Sequence, residues 1–414
     1  MRIKNIPQTS QLNNQKSIKK YNIVIIGAGA SGLLASIFLA KQNHNITIYE
    51  KNNKVGKKLL ATGNGRCNVT NENIHLNNFF SHSDIKKINP ILENFNYKKC
   101  KYFFNKIGVE FVNNEIGRVY PMSQNSSSIV DSLEYEALEN GVTINLNSKV
   151  ENIDYDGQNY IINENKKYDK LIIATGSTAM PKLGGDTSGY TFAKQFQHTI
   201  INPFASLVQL VSDNKNLDLI TGVKIDGVVE NKQGDILFTK YGLSGSAILD
   251  ISRDISYKLQ HQKSVKVTID ILPTFSKNKL VEMLLHRAKT LENRDIYSWL
   301  DGIVNKKLSR FIIITAKIPT SIKTAKFLNR KDILKIVHTI KNLEFNITDT
   351  KGFETCEVCA GGVILDDINL NTMESKLQKN LYFIGEVLDV DGDCGGYNLH
   401  FAWASGYTLA QNLR

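Results

Sequence analysis

Three glycines and one acid are the first residues whose types and spacing could do chemistry. Gly27-Ala-Gly-Ala-Ser-Gly32 follows a β-branched run at residues 21–26 and opens a segment of helical periodicity at 31–42. A second strand pattern, residues 45–49, ends at Glu50, 23 residues after Gly27. In such a strand-turn-helix the first glycine permits the tight turn and the second lets the backbone approach a diphosphate. The third packs helix on strand, and the helix N-terminus faces the phosphates. A carboxylate ending the second strand can accept hydrogen bonds from ribose hydroxyls. Gly27, Gly29, Ala30, Ser31, Gly32 and Glu50 are therefore expected to bind a dinucleotide.

The same kind of turn recurs near the other end of the chain. Residues 381–406, LYFIGEVLDVDGDCGGYNLHFAWASG, read as an apolar strand, an acidic glycine-rich turn and a small-residue helix. Two such turns imply one cofactor held at both ends. Leu171-Ile-Ile-Ala-Thr-Gly176 selects its type, because a buried strand ending in Ala-Thr-Gly is a frequent late element of two-part FAD domains and NAD dehydrogenases lack it. FAD is thus expected, with its diphosphate at the first turn and its ring at the second. Ala174, Thr175 and Gly176 would let the chain pass close to it, and Gly385-Glu386 would reach the ribityl chain. The helix opened by Gly395-Gly396-Tyr397-Asn398-Leu399 would stabilise negative charge on the reduced pyrimidine edge. Asp389-x-Asp391-x-Asp393 superficially resembles a calcium loop, but Cys394 replaces the required Gly and His400 the terminal Glu. No metal site is expected.

Few side chains are candidates for catalysis. Cys67 lies beside Arg66, and if that loop covers the flavin a neighbouring cation would favour the thiolate, for proton transfer or nucleophilic attack. The alternative is a small residue packed beneath the cofactor. Arg118 precedes Val-Tyr-Pro on an expected hairpin, where a guanidinium could hold an anionic substrate or simply be a surface charge. Lys240, Tyr397 and His400 are weaker candidates. Cys356 and Cys359 form a C-x-x-C without a second pair or a nearby histidine, so they read as structural thiols or as a redox dithiol.

The elements that must position these residues follow from periodicity. Residues 51–73, rich in Asn, Lys and Gly, read as a loop lying over something that orders it. Residues 84–107 read as helical, 109–121 as a hairpin, 127–140 as a helix, and 142–154, 158–163 and 170–175 as strands. After His198 the pattern changes to short strands at 207–211, 222–229, 235–239 and 264–271, then to helices over 276–342. The fold class is therefore α/β: a split Rossmann-like domain, residues 21–199 and 350–414, carrying an inserted antiparallel β domain with a helical subdomain at 200–349. Residues 1–20 read as a disordered basic extension without a secretory signal, and an organelle presequence stays open.

At 414 residues and 42% apolar content the chain can bury real cores, and no run reaches the length of a membrane span. Five scattered cysteines suit a reducing, cytoplasmic compartment. Positive charge is local. Residues 276–342 carry 15 Lys/Arg against 5 Asp/Glu, a surplus of 10 in a chain whose net charge is +11. That surplus marks either a polyanion-facing surface or the solvated face of lysine-rich helices.

Several longer motifs carry a family resemblance. Lys57-Lys-Leu-Leu-Ala-Thr-Gly-Asn-Gly-Arg-Cys-Asn-Val-Thr70, Gly117-Arg-Val-Tyr-Pro121, Phe238-Thr-Lys-Tyr-Gly-Leu-Ser-Gly245, Gly361-Gly-Val363, Thr372-Met-Glu-Ser-Lys376 and the terminal block resemble the BaiN/YhiN-type, aminoacetone-oxidase-like FAD flavoproteins. The resemblance runs from about residue 21 to the C-terminus. It implies a split FAD domain with an inserted β domain and a helical portion, and it adds Asn64, Gly65, Arg66, Cys67 and Asn68 to the flavin contacts, beside Asn398 and Leu399. This chain departs from the family at Lys240, where relatives usually have His, at Ser246, usually Pro, and at Ser177, commonly Gly. The role of the 238–245 stretch is correspondingly open.

Flavin chemistry sets the reaction class, since hydride moves to or from N5 while the protein supplies position, electrostatics and access. No second G-x-G-x-x-G exists, so NAD(P)H would have to enter the substrate cleft, or oxygen would be the acceptor. The leading expectation is reduction of uridine to dihydrouridine in large-subunit rRNA, held through the basic segment 276–342. The alternatives are a small-molecule oxidase or reductase acting on an aminoacetone-type amine or an enone, and a flavin-containing RNA or ribosome partner without turnover.

Overall fold

The computed structural model describes residues 19–164 and 166–413, so all of the expected basic extension except Lys19 and Lys20 lies outside the described residues. β1 (Asn22–Ile26), α1 (Ala30–Ala40) and β2 (Asn45–Tyr49) form a βαβ unit with β1 and β2 in parallel register from Asn22 opposite Asn45. Ile23, Val24 and Ile25 are wholly buried, as a strand covered on both faces requires. α2 (Lys57–Gly65) interrupts the expected loop. Leu59 anchors it in the core, and the helix breaks at Thr62, Gly63 and Asn64, the last two left-handed. The expected helix over 84–107 is in pieces, because Pro90 starts one short helix and the Asn96 side chain caps a second by accepting from the Lys99 amide at 3.1 Å.

β3 (Arg118–Pro121) pairs antiparallel with Phe111–Asn113 and with Thr70–Asn71, which ties the loop after α2 to a hairpin. α3 (Ser127–Glu139), β4 (Thr143–Asn145) and β5 (Lys170–Ile173) complete the first half of the sheet. The strand expected over 142–154 stops at Asn145, and Asn147 takes a left-handed φ of 51°.

The chain then leaves through β6 (Ile200–Ser206) into a closed six-stranded barrel. Its strands are β7 (Leu210–Ser212), β8 (Lys224–Val229), β9 (Lys232–Phe238), β10 (Gly242–Ser244), with α4 (Ser246–Leu259) following, and β11 (Val265–Asp270). Helices α5 (Lys277–Thr290), α6 (Lys306–Thr315) and α7 (Arg330–Lys341) come next, and then β12 (Leu343–Thr350) closes the barrel against both β7 and β11. Neither α4 nor β12 is legible in the sequence pattern, although β12 alternates buried and exposed residues as a half-buried strand should. Phe238, Phe311 and Phe345 share the core of this unit, which is separate from the sheet's own.

β13 (Val358–Val363) returns antiparallel to β6, and β14 (Leu381–Phe383) re-enters the sheet beside β5. The completed order is Ile368–Asn369, Glu374–Ser375, β14, β5, β1, β2, β4, parallel from β14 to β4. α8 (Tyr397–Asn412) is buried nearly all round and lies on α1. Small residues permit the contact: a Cβ on Gly406 would sit 2.8 Å from the Ser31 carbonyl oxygen. Among the described residues no helix is long and apolar enough to cross a membrane.

The three aspartates of the acidic run have structural partners. Both Asp391 carboxylate oxygens accept from Arg253 Nε at 3.1 Å and one also from Ser206, Asp393 accepts from Lys232 at 3.1 and 3.2 Å, and Asp389 binds Ser81 and His82. Arg253 and Lys232 belong to α4 and β9, so two of these carboxylates clamp the barrel unit to the sheet. Among the described residues no cluster of His, Cys, Asp and Glu could hold a metal.

Candidate active site

A cavity of about 690 Å³ lies where β1, β2 and β5 end, between the sheet and the barrel unit. Small-molecule and cofactor sites span roughly 300–1,000 Å³. Helices α1, α2, α4 and α8 begin on its wall without a side-chain cap, after Gly29, Gly56, Gly245 and Gly396. Uncapped N-termini leave amide donors and a partial positive charge directed at whatever fills the space.

The first turn has the geometry of a phosphate cradle. Gly27 takes φ 107°, and a Cβ there would sit 2.4 Å from the Ala174 carbonyl oxygen. A Cβ on Gly32 would sit 2.1 Å from the Gly27 oxygen, whereas one on Gly29 would meet nothing within 4 Å. Gly27 and Gly32 are thus packing glycines and Gly29 opens onto the cavity, with Ala30 and Ser31 beside it. Glu50 is buried, and its carboxylate accepts from the Ala28 amide at 2.9 Å and from the amide and side chain of Asn52 at 2.8 and 2.7 Å. It holds the turn closed from the end of β2. An ion pair between Lys51 and Asp186 brings the Gly184–Ser188 stretch over this end.

Ala174, Thr175 and Gly176 lead from the first turn along the wall, which Asn64, Arg66, Asn68, Glu386, Asn398 and Leu399 continue, joined by Arg118 and Tyr120 from β3. Lys58, which the sequence did not single out, donates to Glu386 at 2.6 Å. The Asn398 side chain is engaged in the acidic turn, bonded to the Gly392 amide and carbonyl at 2.8 and 2.9 Å, so Asn398 faces the cavity through the start of α8. Arg118 Nη2 donates to the Cys394 carbonyl oxygen at 3.4 Å and lies 3.6 Å from its sulfur. Burial works against the Arg118 charge, but Cys394, Tyr120 and Asp250 outweigh it and keep the guanidinium protonated.

Two acids missing from the sequence reading belong to this region, Glu357 on the wall and Asp250 behind it. Glu357 is exposed where it opens onto the cavity, and the protein around that opening displaces solvent and raises its pKa from the ordinary carboxylate value, against the opposing charges of Arg118 and Lys58. Asp250, on α4, receives the Cys394 amide at 2.7 Å and is pushed up to about 6 by burial. No local sequence signal marks either. Glu357 lies between two cysteines ahead of a glycine pair, and Asp250 sits inside a helix that the pattern did not show.

Four expected contacts do not line the cavity: Gly32, Gly65, Cys67 and Gly385. Gly385 packs against Ser31, where a Cβ would come within 2.5 Å of its hydroxyl. Cys67 is fully buried, and burial pushes its thiol up to about 12 despite a hydrogen bond with Thr62. The Arg66 guanidinium stacks over Tyr120 at 4.7 Å instead of polarising the thiol. The thiolate expected at Cys67 is therefore corrected to a packed core residue. Lys240 is exposed on the β9–β10 turn outside the cavity, while Ser244, Gly245 and Ser246 of the same motif line it. His400 is fully buried, bonded to Thr70 at 2.8 Å and pushed down to about 4 by burial, so it is neutral. Helices α5 to α7 contribute nothing to the wall. The barrel side consists of Lys224, Asp235, Leu237, Ser244–Ser246 and Leu249.

An elongated dianionic dinucleotide fits this arrangement. The open face at Gly29 and the α1 N-terminus suit its diphosphate, Glu50 its ribose, and the Glu386 and α8 end its ring system. Fold and site together define a Rossmann-type, two-part FAD-dependent oxidoreductase. The chain belongs to the HI0933-like family, whose Rossmann-domain description matches residues 21–412. It is 32% identical over 399 residues to a 3-dehydro-bile acid delta(4,6)-reductase of Clostridium scindens, covering 93% of this chain and 97% of that one. It is 30% identical over 407 residues to a ribosomal RNA dihydrouridine synthase of Escherichia coli, covering 96% and 98%. Among solved structures, the fold is similar to 3-ketosteroid delta1-dehydrogenase from Sterolibacterium denitrificans, with a TM-score of 0.52, 11% identity, and 95% and 99% coverage.

Proposed function

We propose that this oxidoreductase reduces a carbon–carbon double bond conjugated to a carbonyl, with uridine in large-subunit rRNA as the leading substrate and NAD(P)H as the electron donor. The observation that carries the reading is the pairing, on one wall, of a carboxylic acid with a raised pKa, Glu357, and a fixed guanidinium, Arg118. Conjugate reduction needs both functions: a cation or donor for the charge that develops on the carbonyl oxygen, and an acid for the carbon next to it. The bound flavin would supply the hydride. Arg118 then orients and stabilises the oxygen, Glu357 gives its proton to the adjacent carbon, and the uncapped start of α4 with Leu237 and Leu249 closes the substrate side. The C5=C6 bond of uracil and the double bonds of a 3-dehydro-bile acid are both of this conjugated type, which reconciles the names of the two relatives.

Support for an RNA substrate comes from the helical subdomain. Lys277, Lys279, Lys306, Lys307, Arg310, Arg330 and Lys331 are all exposed. Neutralising phosphates with such a surface supplies salt-dependent affinity, and a splayed-out base would enter the cavity. A small-molecule substrate is the second reading, favoured by a cavity wall built without any residue of that basic segment.

The test is anaerobic incubation of the holoprotein with NADH or NADPH and either transcribed large-subunit rRNA or a 3-dehydro-bile acid carrying delta(4,6) double bonds, reading the gain of two hydrogens by mass. Reduction of uridine, lost after K306E/R310E with FAD retained, supports the leading reading. Reduction of the bile acid alone selects the second. Reduction of neither, with peroxide formed from aminoacetone in air, overturns both.

A further inference from the structure

Arg118 is held firmly at its backbone and loosely at its charged end. Its amide donates to Asn114 Oδ1 at 2.8 Å, and β3 is paired along both edges. The guanidinium carries five donors but has no carboxylate partner, since the ion-paired arginines among the described residues are Arg253 and Arg294. Its Nη2 is directed at Cys394, 3.4 Å from the carbonyl oxygen and 3.6 Å from the sulfur. Cys394 in turn is set from the barrel unit. Gly395 and Gly396 follow it at φ 148° and 95°, so the turn has little stiffness of its own. Asp250, next on α4 to the cavity-lining Leu249, accepts from the Cys394 amide on Oδ1 at 2.7 Å. Cys394 thus stands between the two units, its amide bound to Asp250 and its carbonyl to Arg118.

We propose that Asp250 is a positioning residue for Arg118: by fixing Cys394 it sets where the guanidinium stands on the cavity wall. The cation that holds the substrate's carbonyl oxygen is then placed by the seating of the barrel unit on the sheet. The Asp391–Arg253 and Asp393–Lys232 pairs fasten the same turn to the same unit through its side chains. Asp250 fastens the main chain, at the residue that Arg118 touches. Asp250 does not line the cavity, so its effect on a substrate passes through Arg118. The two groups also favour each other's charged forms, which draws the guanidinium toward the same side. Acceptance of the Cys394 amide needs an oxygen at this position and not a charge, so an asparagine can replace the aspartate where an alanine cannot.

The inference rests on the role given to Arg118, and the experiment keeps the two apart. Oxidised, FAD-loaded protein is titrated with para-chlorophenolate, a flat oxyanion that stands in for the enolate formed in conjugate reduction. Binding per flavin is read from the long-wavelength charge-transfer absorbance. R118A should weaken binding by about tenfold or more, as loss of a charged hydrogen bond does, and D250A by about fivefold or more. D250N should stay within about twofold of wild type, because its side-chain oxygen still accepts the amide. In the R118A background D250A should cost less than about twofold further, the signature of one residue acting through another. Weaker binding by R118A with unchanged binding by D250A overturns the positioning role alone. So does an equal loss from D250A in both backgrounds, or a D250N variant as weak as D250A. Absence of binding to wild type, or equal binding by wild type and R118A, removes Arg118 as the holder of the oxyanion and the role of Asp250 with it.

Discussion

Lys58 Nζ lies 2.6 Å from Glu386 Oε2, joining α2 to the terminal block across 328 residues of sequence, while the other Glu386 oxygen holds the Cys359 amide. One carboxylate thereby fixes three segments of the cavity wall. Substituting E386A should weaken FAD binding at least about tenfold and destabilise the protein by about 1–3 kcal/mol, the cost of orphaned buried partners. E386Q, which can still accept from the amide, should recover part of the stability. Flavin fluorescence titration and thermal unfolding of the apoprotein separate the two effects.

Glycines of the first turn should divide by mechanism. At Gly27 a side chain meets backbone and φ is 107°, so G27A should lower apoprotein stability as well as FAD affinity. At Gly29 the added methyl enters open space, so G29A should leave apoprotein unfolding nearly unchanged and weaken FAD by about tenfold or more, through the lost close approach. Equal loss of stability in both variants would remove the cradle assignment.

Glu357 sets a pH dependence for the reaction. Because its pKa is raised and its acid form donates the proton, the reductive turnover should be highest below that pKa and decline as pH rises through it. E357Q should be slower by about 10²-fold or more and lose the basic limb, with FAD still bound. A Glu357 variant with wild-type rate and profile would exclude it as the acid.

Asp250 makes a separate prediction on stability. Its folded pKa, about 6, exceeds the ordinary value of 3.8, so the native state holds this proton more tightly than the unfolded chain. Stability from this group is full below about pH 4, declines as pH rises to about 6, and is lost above. D250N should therefore stabilise the apoprotein at pH 7–8 by about 1–3 kcal/mol, with the difference vanishing at pH 4. Denaturant unfolding at the two pH values measures it.

Cys67 should behave as core. C67S should cost about 1–3 kcal/mol by burying a hydroxyl in an apolar site, with turnover per bound FAD unchanged. Reaction of native protein with a thiol reagent should leave Cys67 unmodified, as expected for a closed thiol raised to about 12.

The Gly27–Glu50 side of the cavity was legible because its requirements are local. Gly27, Gly29 and Glu50 sit within one βαβ unit, where strand, turn and helix periodicities fix their relative positions. Ala174–Gly176 and Glu386 were legible on the wall for the same reason, as residues at strand ends, whereas Gly385 packs against Ser31 instead. Cys67 misled because its neighbour in sequence, Arg66, points the other way: the left-handed turn from Gly63 to Gly65 turns the thiol inward and the guanidinium out over Tyr120. The basic segment was legible as a charged surface but not in its placement away from the cavity wall, since charge count reports a surface and not the direction that surface faces.

By itself the sequence determined the cofactor class, the split of the dinucleotide domain and the basic character of the insertion, all carried by short-range pattern and composition. Tertiary structure alone decided that Glu357, Arg118 and Cys394 share the cavity wall with Asp250 behind it on the Cys394 amide, that Lys58 meets Glu386, and that the C-x-x-C pair stands behind the wall. The physical reason is that pKa shifts, ion pairs and thiol reactivity depend on burial and on neighbours hundreds of residues away, set here by the closing of β12 on β7 and the stacking of α8 on α1.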